Sequence, residues 1–408
     1  MNGSRICVMQ IVSNLDIGGA QEVVRTLAEN LEKVGCQSVV VTFKDGPLRE
    51  NIEHLGIPVE ILPQRQHGIT ALPQFIRDML RTRRALFELV KKYNVDVIQT
   101  HLLRSLDFLV LSLRLQSKVQ IFWTFHNARF DLREEHLAKH KWLFKPKRWG
   151  YHVLYSVCTR GVNRLIAVSE EVKTSIMKTL PSIPQKKIIA IPNSVDVQRY
   201  SKYRERTILR RNLGLAERHQ VAAVVATFKE QKGHRYLLDA LPEVLKNFPN
   251  LVVLFIGDGE LKAALQNRTL ELGLKNNVLF LGNRQDVPAL LAASDLFILP
   301  SLWEGLPMAL IEAMASGLPV IATQVSGTSQ VMIHEETGLL VKPGNSSELA
   351  HAIKELLSNT SLSVQMGNAA RRRVEVHFGA QKQAQAHLDL FINEMKPFTR
   401  LNHQHARR

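Results

Sequence analysis

The amino-acid sequence predicts an α/β protein built from two doubly wound parallel-sheet domains. The chain has 408 residues, which exceeds the usual size of one compact domain. Short apolar runs rich in β-branched residues alternate with helical stretches, which is typical of βαβ units and parallel sheets. This alternation is interrupted at about residues 197–215 and then restarts, so the pattern indicates two similar α/β halves.

The first half contains six predicted buried strands separated by helical stretches. Helices are predicted, for example, over residues 21–34 and 71–92. The stretch 188–200 (IIAIPNSVDVQRY) ends this half with the turn-forming residues Pro192, Asn193 and Asp196. The strands are predicted at residues 5–12, 38–43, 59–62, 95–101, 120–126 and 164–168.

The second half repeats the pattern with six further predicted strands, at residues 220–227, 251–257, 278–282, 295–300, 319–323 and 338–341. The predicted domains are residues 1–197 and 198–379, and a C-terminal helix at about 380–400 is expected to pack back on the first domain. In open α/β sheets, ligands bind at the carboxyl ends of the strands, so the residues that follow each strand are the candidates for a site.

One such strand end is followed by LPSLWEGLPMALIEAMASGLPVIA, residues 299–322. Glu304 follows the strand, Pro307 suits the first turn of a helix, and Gly317 ends that helix. A helix start suits a phosphate or a sugar hydroxyl, and Glu312 in the same helix could bind a ribose diol. On their spacing alone, two such acids fit a capped surface helix with solvated side chains better than a binding site.

The surrounding residues closely resemble those of family-4 retaining glycosyltransferases with the GT-B fold. The resemblance covers nearly the whole chain, strongly in the second half and loosely in the first. It implies two Rossmann-like domains facing an interdomain cleft, with the nucleotide-sugar donor on the C-terminal domain. In the second half the matching segments are residues 299–327, which extend the run above to TQVSG, HEETGLLVKPGN at 334–345, IGDGE at 256–260, NVLFLG at 277–282 and QKGH at 231–234. In the first half they are GGAQEVV at 18–24, HN at 126–127 and IPNSVD at 191–196.

The resemblance implies three catalytic residues. Glu304 would contact hydroxyl groups of the donor sugar, and Lys232 would stabilise the diphosphate as it leaves. His126, which ends the apolar run QIFWTFH, matches the active-site histidine near the reacting sugar. Backbone amides near the helix start would assist Glu304; the donor-binding candidates there are Leu306, Met308 and Pro307, which has no N–H of its own.

Further candidates follow from the same resemblance. Glu312 would hold the ribose hydroxyls, and Gly18 with Gly19 would let the backbone approach the donor phosphates, although a tight turn explains this pair as well. Arg284 lies where the family's loop contacts the base, and a surface arginine is the alternative. His101 is a candidate for the acceptor side because it ends the apolar run VDVIQTH, and Asn127 is the other acceptor-side candidate.

The sequence departs from the family pattern at two positions. Thr227 lies where the family commonly has an arginine that binds the diphosphate, so it is the donor-binding candidate at that position. Lys229 can substitute for that arginine only in part, because its ammonium group lacks the bidentate fork of a guanidinium. Gln330 replaces an acid often found after the VSG turn. These changes put the grip on the phosphates in doubt.

The charge is basic and uneven. The chain carries +16 overall; residues 1–200 hold 29 basic and 18 acidic side chains, a net +11, which suggests anionic partners. Residues 139–164 hold seven basic side chains, no acidic ones and several aromatic ones. This mixture favours peripheral contact with an anionic membrane; RNA stacking and a solvated basic helix are the alternatives. The candidate membrane contacts are Trp142, Lys145, Lys147, Arg148 and Trp149.

Cysteine usage and hydropathy indicate the compartment. The three cysteines have no CxxC or metal-ligand spacing, and no apolar run reaches the roughly 18 residues of a membrane span. We therefore expect a cytoplasmic protein, associated at most with the inner face of the membrane.

The predicted function is retaining transfer of a hexose from a UDP- or GDP-sugar to a glycan or lipid-linked acceptor in cell-surface polysaccharide or glycolipid biosynthesis. No Asp-x-Asp pair and no His/Cys metal spacing occurs, so we expect neither an essential metal nor a cofactor. No nucleic-acid partner is expected. The alternative is a catalytically weak partner subunit that binds a nucleotide or glycan. A nucleotide-sugar epimerase fits less well, because it lacks the Glu304–Glu312 signature.

Overall fold

The computed structural model describes residues 5–63, 72–101, 105–115, 117–126, 144–201 and 206–405; at residues 72, 105, 106, 115, 144–149, 151, 201 and 396–405 it describes the backbone alone. The chain divides into two compact units, residues 1–193 with 380–408, and residues 194–379. The unit boundary falls between Asn193 and Ser194, close to the predicted boundary after residue 197. Each unit contains one fully parallel sheet.

Unit 1 alternates strands and helices as the sequence predicts. Its strands are β1 (Cys7–Val12), β2 (Gln37–Thr42), β3 (Val59–Ile61), β4 (Val97–His101), β5 (Gln120–Phe125), β6 (Arg164–Ala167) and β7 (Ile188–Ala190). Its helices in this part of the chain are α1 (Gly19–Lys33), α2 (Leu48–Glu53), α3 (Leu72–Lys92), α4 (Ser105–Leu111), α5 (Phe144–Cys158) and α6 (Glu170–Thr179).

The sheet of unit 1 has the strand order β3-β2-β1-β4-β5-β6-β7. The chain first builds outward from β1 to β3 and then returns to place β4 on the other side of β1. Loops that leave two such strands in opposite directions open a crevice at the carboxyl edge of a sheet, where ligands bind. In unit 1 this switch point lies between β1 and β4.

Unit 2 repeats this arrangement with six strands. They are β8 (Gln220–Val225), β9 (Leu251–Ile256), β10 (Val278–Gly282), β11 (Leu296–Leu299), β12 (Val320–Thr323) and β13 (Leu339–Val341). Its helices are α7 (Val197–Ser201), α8 (Arg206–Asn212), α9 (His234–Leu245), α10 (Lys262–Glu271), α11 (Val287–Ala292), α12 (Met308–Ala315), α13 (Ser326–Val331), α14 (Ser346–Ser358) and α15 (Thr360–His377).

The strand order of unit 2 is β10-β9-β8-β11-β12-β13, so its switch point lies between β8 and β11. The strands are apolar along most of their length, as expected for a parallel sheet covered on both faces. Helices α9 and α14 pack on each other and contribute leucines and Ile353 to a core that also contains Phe228 and Phe255. This core holds the carboxyl ends of β8 and β11 in fixed positions.

The last helix, α16 (Ala380–His405), belongs to unit 1. It packs against α1 and β5, and the ring of Phe391 lies 4.8 Å from that of Phe122, measured between centroids. The helix begins at the predicted position and extends to His405, beyond the predicted end.

All the predicted strands are present, most with ends shifted by one or two residues. Strand β7 was not predicted from the sequence, because its three residues are too few to show a period and lie just before the turn-forming Pro192. The backbone of β7 pairs with β6 from Leu165 to Ala167, so tertiary pairing creates this strand.

Candidate active site

Two loops of unit 2 meet at its switch point, one after β8 and one after β11. The Leu302 amide donates to the Gln231 carbonyl at 2.7 Å, and the Gln231 side-chain amide donates to the Trp303 carbonyl at 2.8 Å. Gly233 has φ +63°, and a Cβ there would lie 2.0 Å from the Pro300 carbonyl oxygen. The glycine therefore permits the close approach that joins the loops.

This junction brings Lys232 and Glu304 together. The Lys232 ammonium donates to Glu304 Oε1 at 2.6 Å, and the Ser301 hydroxyl donates to the same oxygen at 2.6 Å. Glu304 is 8% exposed, and such a buried carboxylate is stable only when it is paired and hydrogen-bonded. Among the described residues nothing donates to Oε2, so this oxygen can accept a hydrogen bond from a ligand.

A second layer of contacts holds the Glu304 loop. The Thr323 hydroxyl donates to the Ser301 carbonyl, and the Thr328 hydroxyl donates to the Thr323 carbonyl. Gly327, in α13, lies against the backbone of the loop: a Cβ would sit 2.7 Å from the Gly305 oxygen and 3.0 Å from Glu304 Cβ. The orientation of the carboxylate is therefore set by β12 and α13 as well as by its own loop.

Helix α12 starts four residues after Glu304. Pro307 precedes it in an extended conformation (φ −75°, ψ 105°), and the Leu306 and Met308 side chains are buried beneath the helix start. The unpaired amides of a helix's first turn and its partial positive charge suit an anionic or hydroxyl ligand. Glu312 lies in the second turn and is half-buried, and Gly317 ends the helix with φ +76° as predicted.

The loop after β8 begins at Thr227, whose side chain is exposed. Two glycines of the IGDGE segment pack against this loop: a Cβ on Gly257 would lie 2.1 Å from the Ala226 oxygen, and one on Gly259 would lie 2.6 Å from the Phe228 oxygen. The IGDGE match in the sequence thus corresponds to a close backbone contact that fixes the loop carrying Thr227 and Lys232.

Arg284 follows β10 and forms a bidentate ion pair with Asp286. Its Nε and Nη2 lie 2.7 and 2.6 Å from the two carboxylate oxygens. The Asp286 carboxylate raises the pKa of Arg284, and the guanidinium lowers the pKa of Asp286. Both side chains are more than a third exposed, so the pair is accessible to a ligand and adds little to stability.

His126 and His101 meet at the carboxyl edge of unit 1. His101 is the last residue of β4, His126 directly follows β5, and His101 Nδ1 lies 2.9 Å from His126 Nε2. Burial lowers the pKa of His126 to about 4, although its outer edge stays partly exposed. Burial, together with the nearby His126 and His387, lowers the pKa of His101 well below its ordinary value. Both imidazoles are therefore neutral at neutral pH.

Gly18 and Gly19 lie on the other side of the same switch point, at the start of α1. Gly18 is extended (φ −173°) and caps the helix, and Gly19 is its first residue. The Gln21 side-chain amide donates to Asn14 Oδ1 at 2.7 Å, which closes the loop after β1. This places a glycine backbone at a helix N-terminus beside β4, as a phosphate site would require.

Some predicted residues lie outside the part of the chain that the structure describes. Asn127 and Trp142 fall in the undescribed stretch 127–143. Lys145, Lys147, Arg148 and Trp149 lie on α5, whose backbone is described there and whose side chains are not. Their roles stay predictions.

Several polar residues around the site were not predicted from the sequence. Ser301 and Thr323 hold the Glu304 loop, while Gln10, Gln99 and His387 are buried in unit 1 and connect to His101. Gln10 and Gln99 lie inside the apolar runs CVMQIV and VIQTH. A polar side chain within a buried strand is the signal that could have identified them.

Among the described residues, no group of three or more His, Cys, Asp or Glu side chains has the arrangement of a metal site. Within the same part of the chain, no helix is both long and apolar enough to cross a membrane.

Comparison with known proteins gives consistent matches over both units. Residues 17–199 match Glycosyltransferase Family 4, and residues 205–373 match Glycosyl transferases group 1. An Escherichia coli relative, the UDP-Gal:alpha-D-GlcNAc-diphosphoundecaprenol alpha-1,3-galactosyltransferase, is 30% identical over 360 residues, which covers 87% of this chain and 88% of that protein.

Another relative, the GDP-mannose-dependent monoacylated alpha-(1-6)-phosphatidylinositol monomannoside mannosyltransferase of Corynebacterium glutamicum, is 32% identical over 199 residues, 46% of this chain and 51% of its own length.

Solved glycosyltransferase structures share the fold. A glycosyltransferase of Rickettsia africae superposes with a TM-score of 0.79 at 20% identity, covering 97% of this chain and all of that one. The Anabaena protein HepE, solved in complex with UDP and glucose, also has a TM-score of 0.79, at 22% identity and with 95% of this chain covered. The two parallel-sheet units and these matches together show that the chain has the GT-B fold and belongs to the group 1, family-4 glycosyltransferases.

Proposed function

We propose that the protein transfers a hexose, with retention of anomeric configuration, from a UDP- or GDP-sugar to a lipid-linked or glycan acceptor in cell-surface polysaccharide or glycolipid biosynthesis. The observation that carries the proposal is the buried Lys232–Glu304 pair at the switch point of unit 2. It combines a cation for a diphosphate with a fixed carboxylate for a sugar in a loop that leads into a helix start.

Each group has a role in this reaction. Lys232 and the amides at the start of α12 stabilise the charge that develops on the leaving diphosphate. The free Oε2 of Glu304 accepts a hydrogen bond from a sugar hydroxyl, and Glu312 holds the ribose. Gly18 and Gly19 let the backbone approach the diphosphate, and His126 contacts the reacting sugar.

Retention follows when attack and departure occur on one face of the sugar. The bond between the anomeric carbon and the diphosphate oxygen breaks, a bond to the acceptor oxygen forms, and the acceptor's proton moves to the departing diphosphate. No protein base is then needed. Because Lys232 and the helix start supply the positive charge, we propose that the reaction requires no metal ion and no cofactor.

The relatives guide the choice of substrates. The Escherichia coli relative uses UDP-galactose and a diphosphoundecaprenol-linked acceptor, and the Corynebacterium relative uses GDP-mannose and a phosphatidylinositol mannoside. The Anabaena structure contains UDP. We therefore propose a UDP- or GDP-hexose as donor and a lipid-linked saccharide as acceptor.

We also propose a peripheral position on the inner face of the cell membrane. Helix α5 carries three exposed apolar side chains on its described part, Val153, Leu154 and Val157. The same helix contains the basic and aromatic residues Lys145, Lys147, Arg148 and Trp149 in its sequence. Apolar side chains inserted among lipid headgroups, with basic residues around them, are typical of interfacial helices.

A panel of nucleotide sugars tests the function. Donor hydrolysis and thermal stabilisation are measured with UDP-glucose, UDP-galactose, UDP-N-acetylglucosamine and GDP-mannose, first alone and then with polyprenyl-diphosphate saccharides as acceptors. We expect one donor to be consumed, a product with the donor's anomeric configuration, and no loss of rate in EDTA. A product with inverted anomeric configuration contradicts the proposed retention. Full dependence of the rate on a divalent ion contradicts the proposed metal independence.

The second candidate is a catalytically weak partner subunit, and Thr227 supports it. This exposed threonine takes the place of the family's phosphate-binding arginine, and Arg284, after β10, is paired with Asp286. Calorimetry with UDP and GDP detects binding in either case. Binding without turnover of any donor in the panel favours the partner subunit over the enzyme.

A further inference from the structure

A continuous chain of polar side chains crosses the apolar core of unit 1. It joins the C-terminal helix to the carboxyl edge of the sheet, and all its members except the last are almost fully buried. Consecutive members lie within hydrogen-bonding distance of each other. The members are His387 on α16, Gln99 on β4, Gln10 on β1, His101 at the end of β4 and His126 after β5, with Thr124 on β5 as a side branch.

The direction of the first hydrogen bond is fixed by the backbone. His387 Nδ1 lies 3.0 Å from the carbonyl oxygen of Gln383, one turn earlier on α16. A carbonyl oxygen only accepts, so Nδ1 carries the proton and donates it. Because His387 is buried and neutral, its Nε2 has no proton and must accept.

The unprotonated Nε2 of His387 determines how the side-chain amides of Gln99 and Gln10 are oriented. Gln99 Nε2 lies 3.3 Å from His387 Nε2 and 2.7 Å from the Thr124 hydroxyl, so its two protons are both used. The opposite atom of this amide, Oε1, accepts from Gln10 Nε2 at 3.2 Å. Turning either amide over would bring two donors or two acceptors face to face.

The orientation of Gln10 in turn fixes which ring nitrogens of His101 and His126 carry a proton. Gln10 Oε1 lies 2.6 Å from His101 Nε2 and only accepts, so His101 carries its proton on Nε2. Neutral His101 then accepts on Nδ1, which lies 2.9 Å from His126 Nε2. His126 must therefore be protonated on Nε2 and bare on Nδ1.

We propose that this chain sets the tautomer of His126, and that His387, about 260 residues later in the sequence, is its anchor and a positioning residue for the active site. His126 consequently offers an acceptor at Nδ1 to whatever binds there; among the described residues nothing donates to that nitrogen. The inference rests on the proposed function only for the statement that His126 contacts the donor sugar.

The tautomer can be measured directly by long-range proton–nitrogen NMR of the full-length protein labelled with ¹⁵N-histidine at neutral pH. The spectrum of His126→Gln identifies the His126 signals by their disappearance. We expect a protonated Nε2 and a bare Nδ1 in the wild-type protein. A wild-type His126 protonated on Nδ1, or present as an even mixture of tautomers, overturns the proposal.

The variant His387→Phe keeps a ring beside Phe391 and removes both nitrogens of the anchor. Gln99 and Gln10 can then turn over together, so we expect the signals of His126 to report a mixture of the two tautomers. Phe391→Leu is the matched control, because it removes a ring that packs on Phe122 and on His387 but leaves every polar atom of the chain in place. It should keep the wild-type tautomer.

An unchanged tautomer in His387→Phe contradicts the proposal. Should that variant fail to fold, Gln99→Leu interrupts the chain at its centre. A mixture of His126 tautomers in this variant supports the proposal, and an unchanged tautomer contradicts it. A merely structural role of His387 would lower the melting temperature without changing the tautomer. The NMR result needs no substrate, so absence of transferase activity with every donor would refute the proposed function and leave this inference in place.

Discussion

At the scale of single residues, Glu304 is both buried and charged, and this combination requires compensation. Lys232 and Ser301 supply two short hydrogen bonds to one carboxylate oxygen, while the other oxygen is left for a ligand. A carboxylate held in this way cannot rotate to follow a substrate, so the substrate must fit it. Such preorganisation is how charged groups lower an activation barrier.

Changing the charge while keeping the shape tests this role. Glu304→Gln removes the charge and keeps the size and shape of the side chain. Removing one electrostatic contact to the transition state lowers kcat by a factor of about 10²–10³. We therefore expect Glu304→Gln and Lys232→Met each to lower kcat about a hundredfold or more. Initial rates of donor consumption measure both. The control is Glu230→Gln, an exposed acid in the same turn as Lys232, which should stay within about twofold of wild type.

A gain of function is expected at Thr227. Its side chain is exposed at the start of the loop that carries Lys232, so an arginine fits there without disturbing the core. Thr227→Arg should raise kcat/KM for the donor about tenfold, about 1.4 kcal/mol, because a guanidinium binds phosphate through two hydrogen bonds. Thr227→Lys should give a smaller gain, since an ammonium lacks the fork. No gain with either change would show that the phosphates lie elsewhere.

At the scale of elements, the positions of strands and helices were predictable because each repeats a clear period. Apolar runs mark the strands of a parallel sheet, and Pro307 with Gly317 marks both ends of α12. β7 was not predictable, because three residues carry no period and their pairing with β6 is a tertiary effect. The same holds for the junction of the two loops, which joins residues 72 positions apart.

Helix α13 gives an element-scale test of how the Glu304 loop is held. Alanine is favoured over glycine inside helices by about 1 kcal/mol, so propensity alone predicts that Gly327→Ala stabilises α13. The methyl group would instead lie 2.7 Å from the Gly305 oxygen, and the loop must shift. We expect kcat to fall at least tenfold with a loss of about 1–3 kcal/mol of unfolding free energy.

Gly150→Ala is the matched control for that change. Gly150 is helical, and a Cβ there meets nothing within 4 Å among the described atoms. This substitution should keep wild-type activity and slightly raise the melting temperature. Wild-type kcat in Gly327→Ala would mean that α13 does not position Glu304.

The exposed apolar side chains of α5 provide the test of membrane contact. The double variant Leu154→Ser with Val157→Ser removes side chains that are 45% and 53% exposed, so folding should be little affected. Binding to anionic vesicles, measured by co-sedimentation, should fall severalfold, and binding of the wild type should weaken with added salt.

The control is Val364→Ser on α15 of unit 2, where a valine is 57% exposed and no basic aromatic segment adjoins it. It should bind vesicles as the wild type does. Equal binding of the wild type to neutral and anionic vesicles would refute the electrostatic part of the proposal.

At the scale of the whole molecule, the sequence predicts the two units and the sheet edge at which each is expected to bind a ligand, because strand ends and switch points follow from element order. It does not predict which buried side chains meet. Gln10, Gln99 and His387 come together only because α16 returns to unit 1 after the chain has built unit 2. A contact between residues 288 positions apart leaves no local pattern in a single sequence.

Buried neutral histidines in both units make the whole chain sensitive to acid. Burial lowers the pKa of His126 and His387 to about 4 in unit 1, and that of His234 to about 3 in unit 2. Their unfolded pKa is near 6.5, so between these values the unfolded chain binds more protons than the folded chain. Their full contribution to stability is therefore present above about pH 6.5 and is lost as the pH falls toward 4.

Each such histidine should lower the free energy of unfolding by about 1.4 kcal/mol per pH unit in this window. Urea unfolding at pH 7, 6 and 5 measures the slope. His387→Phe and His234→Leu should each reduce it, and His234→Leu should also stabilise the protein, since neither nitrogen of that ring has a partner in the described structure. His351→Gln, at an exposed histidine on α14, is the matched control for removing an imidazole. If His387→Phe and His234→Leu both keep the wild-type slope, these buried histidines are not the source of the acid sensitivity between pH 7 and 5.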